Sequence, residues 1–383
     1  MVIRPDDIPQ RLLADLRGRL DAPELAYAEP PTRILSGAEN WIFALRLRGA
    51  PAELAGPLIL RRYRPSRDPA GLRAEASLQR ALAAQGYPAP RVPFVCEDPA
   101  ALGGAYLLME RLPGRVLVGT ASSLLESFGS PARGARHLLR GVYEAAHRAP
   151  RELARLMLRL HALDPAPLIE ALDEAGVGLR ELTPAGRLAD LERRAAAARL
   201  EGLAPPLAWL RERCAEPPCV EPAPPESESG RLVLCHGDLH FMNVLVEGPR
   251  VTGVVDWSRG HFAFADPAFD VGVTRALFSV RLPGVPPGLR PVVHAAQGRL
   301  RRGFCAHYAR GRAVDPEGVR WGEVYRLVRE MVGAGEALRR RESAALDFLR
   351  EGGNPWTLPE MRRSALAHIR RRTGRLASLP EAP

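Results

Sequence analysis

The spacing of apolar positions divides the chain into stretches of different period. Residues 33–63 read as strands, first "RILSGAENWIFALRLRG" and then "PLILRRY". The spacing then turns helical in "DPAGLRAEASLQRALAAQG", which opens on Asp-Pro and closes at Gly86. "PRVPFVCED" and "GGAYLLMERLPG" return to strand. Up to residue 110 the expected order is therefore strand, strand, helix, strand, strand, behind a helical lead-in ("IPQRLLADLRGRL") that ends in a Pro-rich break. After Gly114 the helical period dominates residues 120–215, notably in "PRELARLMLRLHALDPAPL" and "GRLADLERRAAAARL". Residues 216–230, "EPPCVEPAPPESESG", form a polar, Pro-rich loop. Three short apolar runs follow: "RLVLC", "NVLV" and "VTGVVDW". From Asp266 to the end the pattern is helical again, with loops at "RLPGVPPGLRP" and "GGNPW". There is no internal repeat.

With 383 residues the chain is too long for one ordinary core and implies two lobes or domains. Its 46% hydrophobic and 26% charged content is that of a soluble globular protein. No run approaches the roughly 20 apolar residues of a membrane span, and the opening residues lack the apolar segment of a secretory signal. The formal net charge of +10 points at first to a polyanionic partner. However, the chain contains no lysine, and its arginines are spread out rather than clustered with aromatics, so nucleic-acid binding is not expected. The five cysteines (Cys96, Cys214, Cys219, Cys235, Cys305) form no CxxC pair, and Cys214 with Cys219 lacks the second pair of a zinc site. Reduced thiols in a cytoplasmic protein are the expectation.

The chemistry gathers in "CHGDLHFMNVLV" (235–246) and "VTGVVDW" (251–257). If "NVLV" and "VTGVVDW" pair as a hairpin about the Gly-Pro turn in "EGPR", Asn243 comes opposite Asp256. An amide oxygen and a carboxylate with open positions beside them suit Mg²⁺, which keeps waters and binds phosphate oxygens. Asp238, five residues before Asn243, lies within reach and could accept a proton from a substrate hydroxyl. Asp, Asn and Gly are also ordinary turn residues; the signal is their conjunction with three strands. In the early helix, Leu72, Leu78 and Leu82 define an apolar stripe at about 100° per residue, and Glu75 falls near its centre. An acid there is costly unless paired. Asp266 and Pro267 form an N-cap and N1 pair.

"HGDLHFMN", "GVVDW" and "ADPAFDVG" together resemble the aminoglycoside phosphotransferase and choline kinase-like family, over about residues 30–345. Asp to Asn in five residues and Asn to Asp in thirteen is that family's spacing. The resemblance implies an α+β, two-lobed protein kinase-like fold with a small sheet-rich N-lobe and a larger, mainly helical C-lobe. On that basis residues 1–30 are the lead-in, 31–112 the nucleotide-binding N-lobe, 113–350 the catalytic and acceptor-binding C-lobe, and 351–383 a helical extension. It implies Asp238 as catalytic base, His236 as the histidine bracing its loop, and Asn243 and Asp256 as Mg²⁺ ligands. Asp270 would support the loop backbone, or serve the helix dipole. The family's strand lysine is missing, so Arg61, rather than Arg62 on the opposite face, would pair with Glu75 and steady the phosphates. Guanidinium does not reproduce ammonium geometry there. Ser36 and Gly37 fall where the phosphate-covering loop belongs, though "LSGAEN" is not GxGxxG. Backbone groups at Met109, Glu110 and Arg111 would meet adenine. "DWS" departs from DFG, and His161 in "LHALD" is structural.

The implied activity is transfer of the γ-phosphoryl group of ATP to a hydroxyl of a small molecule, with ATP and Mg²⁺ as cofactors. Nothing in the sequence speaks to oligomeric state. A polycationic acceptor would want acids, for which Glu323, Glu330, Glu336 and Glu342 are candidates, although their spacing equally suits a solvated face. A choline site would want an aromatic cage, for which Trp321, Tyr325 and Trp356 are candidates, although such spacing equally suits a core. Two rivals stand beside the kinase reading. One is a silent module that keeps the fold and binds nucleotide or a partner. The other is a metal-dependent hydrolase using His236, Asp238, His240, Asp256 and His261.

Overall fold

The computed structural model describes residues 4–34, 40–63, 69–119, 140–214, 232–283, 285, 287–339 and 355–380. The N-terminal part is a five-stranded antiparallel sheet in the order β1-β2-β3-β5-β4. Its strands are β1 (Ala26–Ile34), β2 (Asn40–Arg48), β3 (Pro57–Tyr63), β4 (Phe94–Cys96) and β5 (Tyr106–Glu110). Helix α1 (Ile8–Arg19) lays Ile8, Leu12 and Leu16 on one face of this sheet, in a core with Phe43, Leu45, Leu60 and Leu108. Strand β1 begins before the Pro-rich break and runs through Pro30 and Pro31. It can do so because it is an edge strand with register shifts after Tyr27 and after Glu29, where a missing ladder donor costs little.

Helix α2 (Pro69–Ala84) packs on the other side. Leu72, Leu78 and Leu82 are fully buried, at about 1.5–3 kcal/mol each, and Glu75 is buried with them at 1% exposure.

The rest is mainly helical. It contains α3 (Ala149–Leu160), α4 (Ala166–Glu174), α5 (Pro184–Ala197), α6 (Ala204–Cys214), α7 (Pro267–Leu277), α8 (Arg290–Gly311), α9 (Pro316–Arg339) and α10 (Pro359–Thr373), with short helical turns between. Two small sheets are set into it. β6 (Arg115–Val116), β8 (Val244–Glu247) and β9 (Arg250–Val254) form one, and β7 (Val233–Cys235) with β10 (Ala263–Ala265) forms the other. Strand β10, a three-residue run of buried side chains, was not expected from the sequence pattern, which is too short there to show a period.

The hairpin register also differs by one residue. Val244 pairs with Val254, a register irregularity follows at Leu245, and Asn243 O accepts from Val255 N at 2.9 Å. Asp256 therefore lies one step beyond Asn243 rather than opposite it.

Helices α7 and α9 cross closely because glycines meet there. A Cβ on Gly272 would collide with the Val319 carbonyl, and one on Gly322 with the Phe269 carbonyl. This crossing brings the middle turns of α9 against the loop after β7.

Candidate active site

The loop between β7 and β8 is held by its backbone. Asp266 caps α7 through Ala268 N at 2.8 Å. One turn on, the fully buried Asp270 accepts from the N–H groups of His236 and Gly237, each at 3.0 Å. His161, whose Nδ1 meets the Tyr308 hydroxyl at 2.7 Å, sets its Nε2 at 3.3 Å from the same carboxylate. This resolves the two roles left open for Asp270 in favour of loop support. Gly237 has φ +69, and a Cβ there would run into the His261 carbonyl. Only glycine lets the loop approach that segment. His236 is fully buried, points Nε2 at Val255 O (3.2 Å) and packs on Trp257. It braces the loop against the strand that leads to Asp256, and burial lowers its pKa.

Asp238, at 6% exposure, then faces the Asn243 amide. Asn243 Nδ2 donates to Asp238 O at 2.9 Å and to Asp238 Oδ2 at 3.4 Å. Its own Oδ1 accepts no bond among the described residues. Asp256 follows in a left-handed conformation, φ +67, rare for a non-glycine residue and a strain that clusters at functional sites. Asp238, Asp256 and His261 can place one ligand atom each within 4.8 Å of one another. The free amide oxygen of Asn243 and the Asp256 carboxylate are hard donors of the kind that Mg²⁺ takes, so these two residues fit that ion.

From the sheet side, Arg61 on β3 reaches both lobes. Its Nη1 is 2.7 Å from Glu75 Oε1 on α2 and its Nη2 3.0 Å from Asp256 Oδ1. Arg62 points the other way, donating to the carbonyls of Leu102 (3.0 Å) and Gly103 (2.6 Å) and stacking on Trp41. Burial pushes the Glu75 carboxyl up to about 7 against the pull of Arg61, and Asp256 adds to the rise. Tyr63 also donates to Glu75. Asp256 moves the other way: burial would raise it, but Arg61 and then His261 hold it below its ordinary value.

Residues on α9 that the sequence pattern did not single out complete the site. Arg326 Nη1 lies 2.7 Å from Asp238 Oδ1 and donates to Gly237 O at 2.9 Å. Arg329 Nη2 reaches the same carbonyl at 3.4 Å. Both share Glu330, at 2.9 and 3.2 Å. Burial would raise Asp238, but Arg326, then His261 and His240, hold it well below the usual carboxylate range. The signal that could have found them is "YRLVRE", two arginines on a helix face otherwise apolar.

The remaining expectations fare differently. Ser36 and Gly37, the 216–230 loop, Cys219 and Glu342 lie outside the described residues. At the segment joining the lobes, the N–H groups of Glu110 and Arg111 already donate to Arg91 O (2.8 Å) and Pro57 O (2.9 Å). Those two N–H groups are therefore engaged within the protein and are not open to a base edge. The acids considered for a polycation are taken by arginines. Glu323 holds Arg275 (2.8 Å) and Arg372 (2.7 Å), Glu330 holds Arg326 and Arg329, and Glu336 holds Arg194 (2.8 Å). Trp321 and Tyr325 stack in the core with Phe269, and Trp356 is buried, so they form no cage. Of the five residues of the hydrolase reading, only Asp238, Asp256 and His261 gather as a possible ligand set among the described residues; His236 is turned to a backbone carbonyl. No helix of the described residues is long and apolar enough to cross a membrane.

Comparison with known proteins agrees with this architecture. A candidate aminoglycoside phosphotransferase of Ralstonia eutropha JMP134 superposes with a TM-score of 0.53 at 19% identity, covering 95% of this chain and 98% of that one. A thermostable mutant of aminoglycoside phosphotransferase APH(4)-Ia gives 0.54 at 16%, covering 94% and 97%. A further mutant of that enzyme, in ternary complex with AMP-PNP and hygromycin B, gives 0.52 at 16%, covering 95% and 96%. At these identities the likeness establishes the fold, a two-lobed protein kinase-like α+β architecture. No curated protein matches the sequence. The model of the phosphotransferase enzyme family, however, matches residues 31–321, from the first strand to the second turn of the site helix, and the chain belongs to that family.

Proposed function

We propose that this phosphotransferase moves the γ-phosphoryl group of ATP to a hydroxyl of a small molecule. The observation that carries the reading is Arg61. A buried cation on the sheet joins Glu75 on one side of the cleft to Asp256 on the other, beside Asp238 and Asn243. Phosphoryl transfer asks the protein mainly for positioning and charge neutralisation. The structural neighbour crystallised with AMP-PNP and hygromycin B supports a nucleotide and a hydroxylated acceptor as the two ligands.

Asp238 receives the hydroxyl proton as the acceptor oxygen bonds to γ-phosphorus. The bond between that phosphorus and the β–γ bridging oxygen breaks, and ADP leaves with the bridging oxygen. Arg61, oriented by Glu75, lies against the phosphates, and Asn243 keeps Asp238 aimed at the acceptor. Mg²⁺, held by Asn243 Oδ1 and the Asp256 carboxylate, would supply neutralisation of phosphate charge. His236 and Asp270 act through the loop backbone. The carbonyls near Met109 and Glu110 face the base.

One observation favours a second reading, a silent nucleotide-binding module: Arg61 already occupies one oxygen of Asp256. ADP release with Mg-ATP, across aminoglycosides, macrolides, amino alcohols and sugars, separates the two. Acceptor-stimulated release lost in Asp238→Asn supports the transferase. ATP binding with no release for any acceptor supports the silent module, and no ATP binding at all brings forward metal-assisted hydrolysis by Asp238, Asp256 and His261.

A further inference from the structure

The acceptor side of Asp238 is crowded with guanidinium groups that the phosphoryl-transfer scheme does not use. Arg326 and Arg329 are 5% and 7% exposed and stand one turn apart on α9. They share one carboxylate, Glu330, whose Oε1 serves both. The second acid within reach is Asp238, which the reaction needs for the substrate hydroxyl. Its contact with Arg326 is an ion pair without hydrogen-bond alignment, so Oδ1 accepts no hydrogen bond.

Arg329 Nη1 is buried with no hydrogen-bond partner among the described residues. Its charge lies within electrostatic range of Asp238, His261 and Arg187. Arg187 on α5 contributes a third guanidinium. Its Nη2 donates to Arg259 O at 2.7 Å and also to Phe262 O, while its Nε is buried and unpartnered. Buried cations in excess over acids are costly unless a ligand supplies the counter-charge. A planar guanidinium with a vacant N–H edge suits carboxylate or phosphate oxygens. The carboxylates that a polycation would need on this helix are already bound to arginines.

We infer that the acceptor is an anionic alcohol, carrying a carboxylate or phosphate group that Arg329, with Arg326 beside it, receives while its hydroxyl faces Asp238. The inference rests on the phosphotransferase reading and names the substrate class of the same site.

Calorimetric titration of AMP-PNP-loaded protein tests it. Gluconate is compared with glucitol, glucose 6-phosphate with glucose, and hygromycin B serves as the polycation. The charged member of at least one pair is expected to bind about tenfold or more tighter than its uncharged partner, the size of one charge-assisted hydrogen bond. Which pair shows the gap tells carboxylate from phosphate. Arg329→Gln should erase the gap and Arg329→Lys restore part of it, with AMP-PNP affinity reporting that each variant is folded. Equal affinities within both pairs, binding of hygromycin B alone, no binding by any probe, or a gap that survives Arg329→Gln would overturn the inference. Absence of AMP-PNP binding removes the phosphotransferase reading instead, and is read first.

Discussion

The two faces of the cleft treat charge in opposite ways. On the sheet face one arginine, Arg61, answers two acids, Glu75 and Asp256. On the helical face Arg326 and Arg329 press on Asp238 and Glu330, with Arg187 close by. The consequence is visible in the carboxylates. Glu75 is pushed up to about 7 by burial that a single guanidinium does not offset, whereas Asp238 is held far down by Arg326 and two histidines. One face thus presents an acid that titrates near neutrality, and the other an acid that stays ionised. The proposed transfer, with a polyanionic nucleotide on Arg61 and Asp238 as its base, would use that asymmetry.

The largest effect expected from breaking it is at Asp238. Asp238→Asn should lower kcat by about 10²–10⁴-fold, the range for a positioned general base, and leave ATP affinity near wild type. Acceptor-stimulated ADP release and ATP titration on the same protein check this; unchanged kcat would remove Asp238 from the role of base.

Next is Arg61. Arg61→Ala leaves Glu75 and Asp256 without their shared cation, and removing one partner of a buried pair costs about 3–5 kcal/mol. Denaturant unfolding should show that loss, together with weaker nucleotide binding. Arg61→Lys should recover part of both, because an ammonium can face one acid well but not fork between two. Equal stability of the alanine variant would show that the ion triad is incidental.

The same contrast shows what the sequence made legible. Glu75 stood out because an acid at the centre of the stripe formed by Leu72, Leu78 and Leu82 demands a partner, and a neighbouring strand offered Arg61. Asp238, Asn243 and Asp256 stood out by spacing along one short segment. Arg326 and Arg329 did not, because their partner lies nearly ninety residues away and is reached only through the Gly272–Gly322 crossing, a tertiary fact. In sequence, Glu323, Glu330 and Glu336 suit a cationic acceptor and a solvated face equally, for the same reason: their arginines come from α7, α9 itself, α10 and α5. Strand β1 was hidden by Pro30 and Pro31, which an edge strand tolerates, and β10 by its length.

Arg326 gives a sharper, smaller test. Its charge is the largest influence lowering the Asp238 carboxyl against burial. Arg326→Gln should therefore raise the Asp238 pKa, and the acid limb of the kcat/KM profile should move to higher pH, with kcat on the alkaline plateau reduced less than in Asp238→Asn. A limb that stays in place would show that His261 and His240 suffice, and that Arg326 serves only to hold Gly237 O.

The smallest expected effect lies on the opposite face, at Glu75. Its folded pKa is raised from about 4.5 to about 7. A carboxyl raised in the folded state is protonated there over a range in which the unfolded chain already ionises, so folding loses stability across that range. Relative to the fully protonated limit, its contribution is whole below about 4.5 and is lost progressively as pH rises through about 7. Wild type and Glu75→Gln should accordingly diverge with pH. The melting temperature of wild type should fall relative to the variant between pH 5 and pH 7 and level off above that, because glutamine keeps the hydrogen-bonding shape without a buried charge. A constant difference across that range would mean that Arg61 and Tyr63 keep Glu75 ionised throughout, and the two faces of the cleft would then differ in the number of their charges but not in which of them titrate.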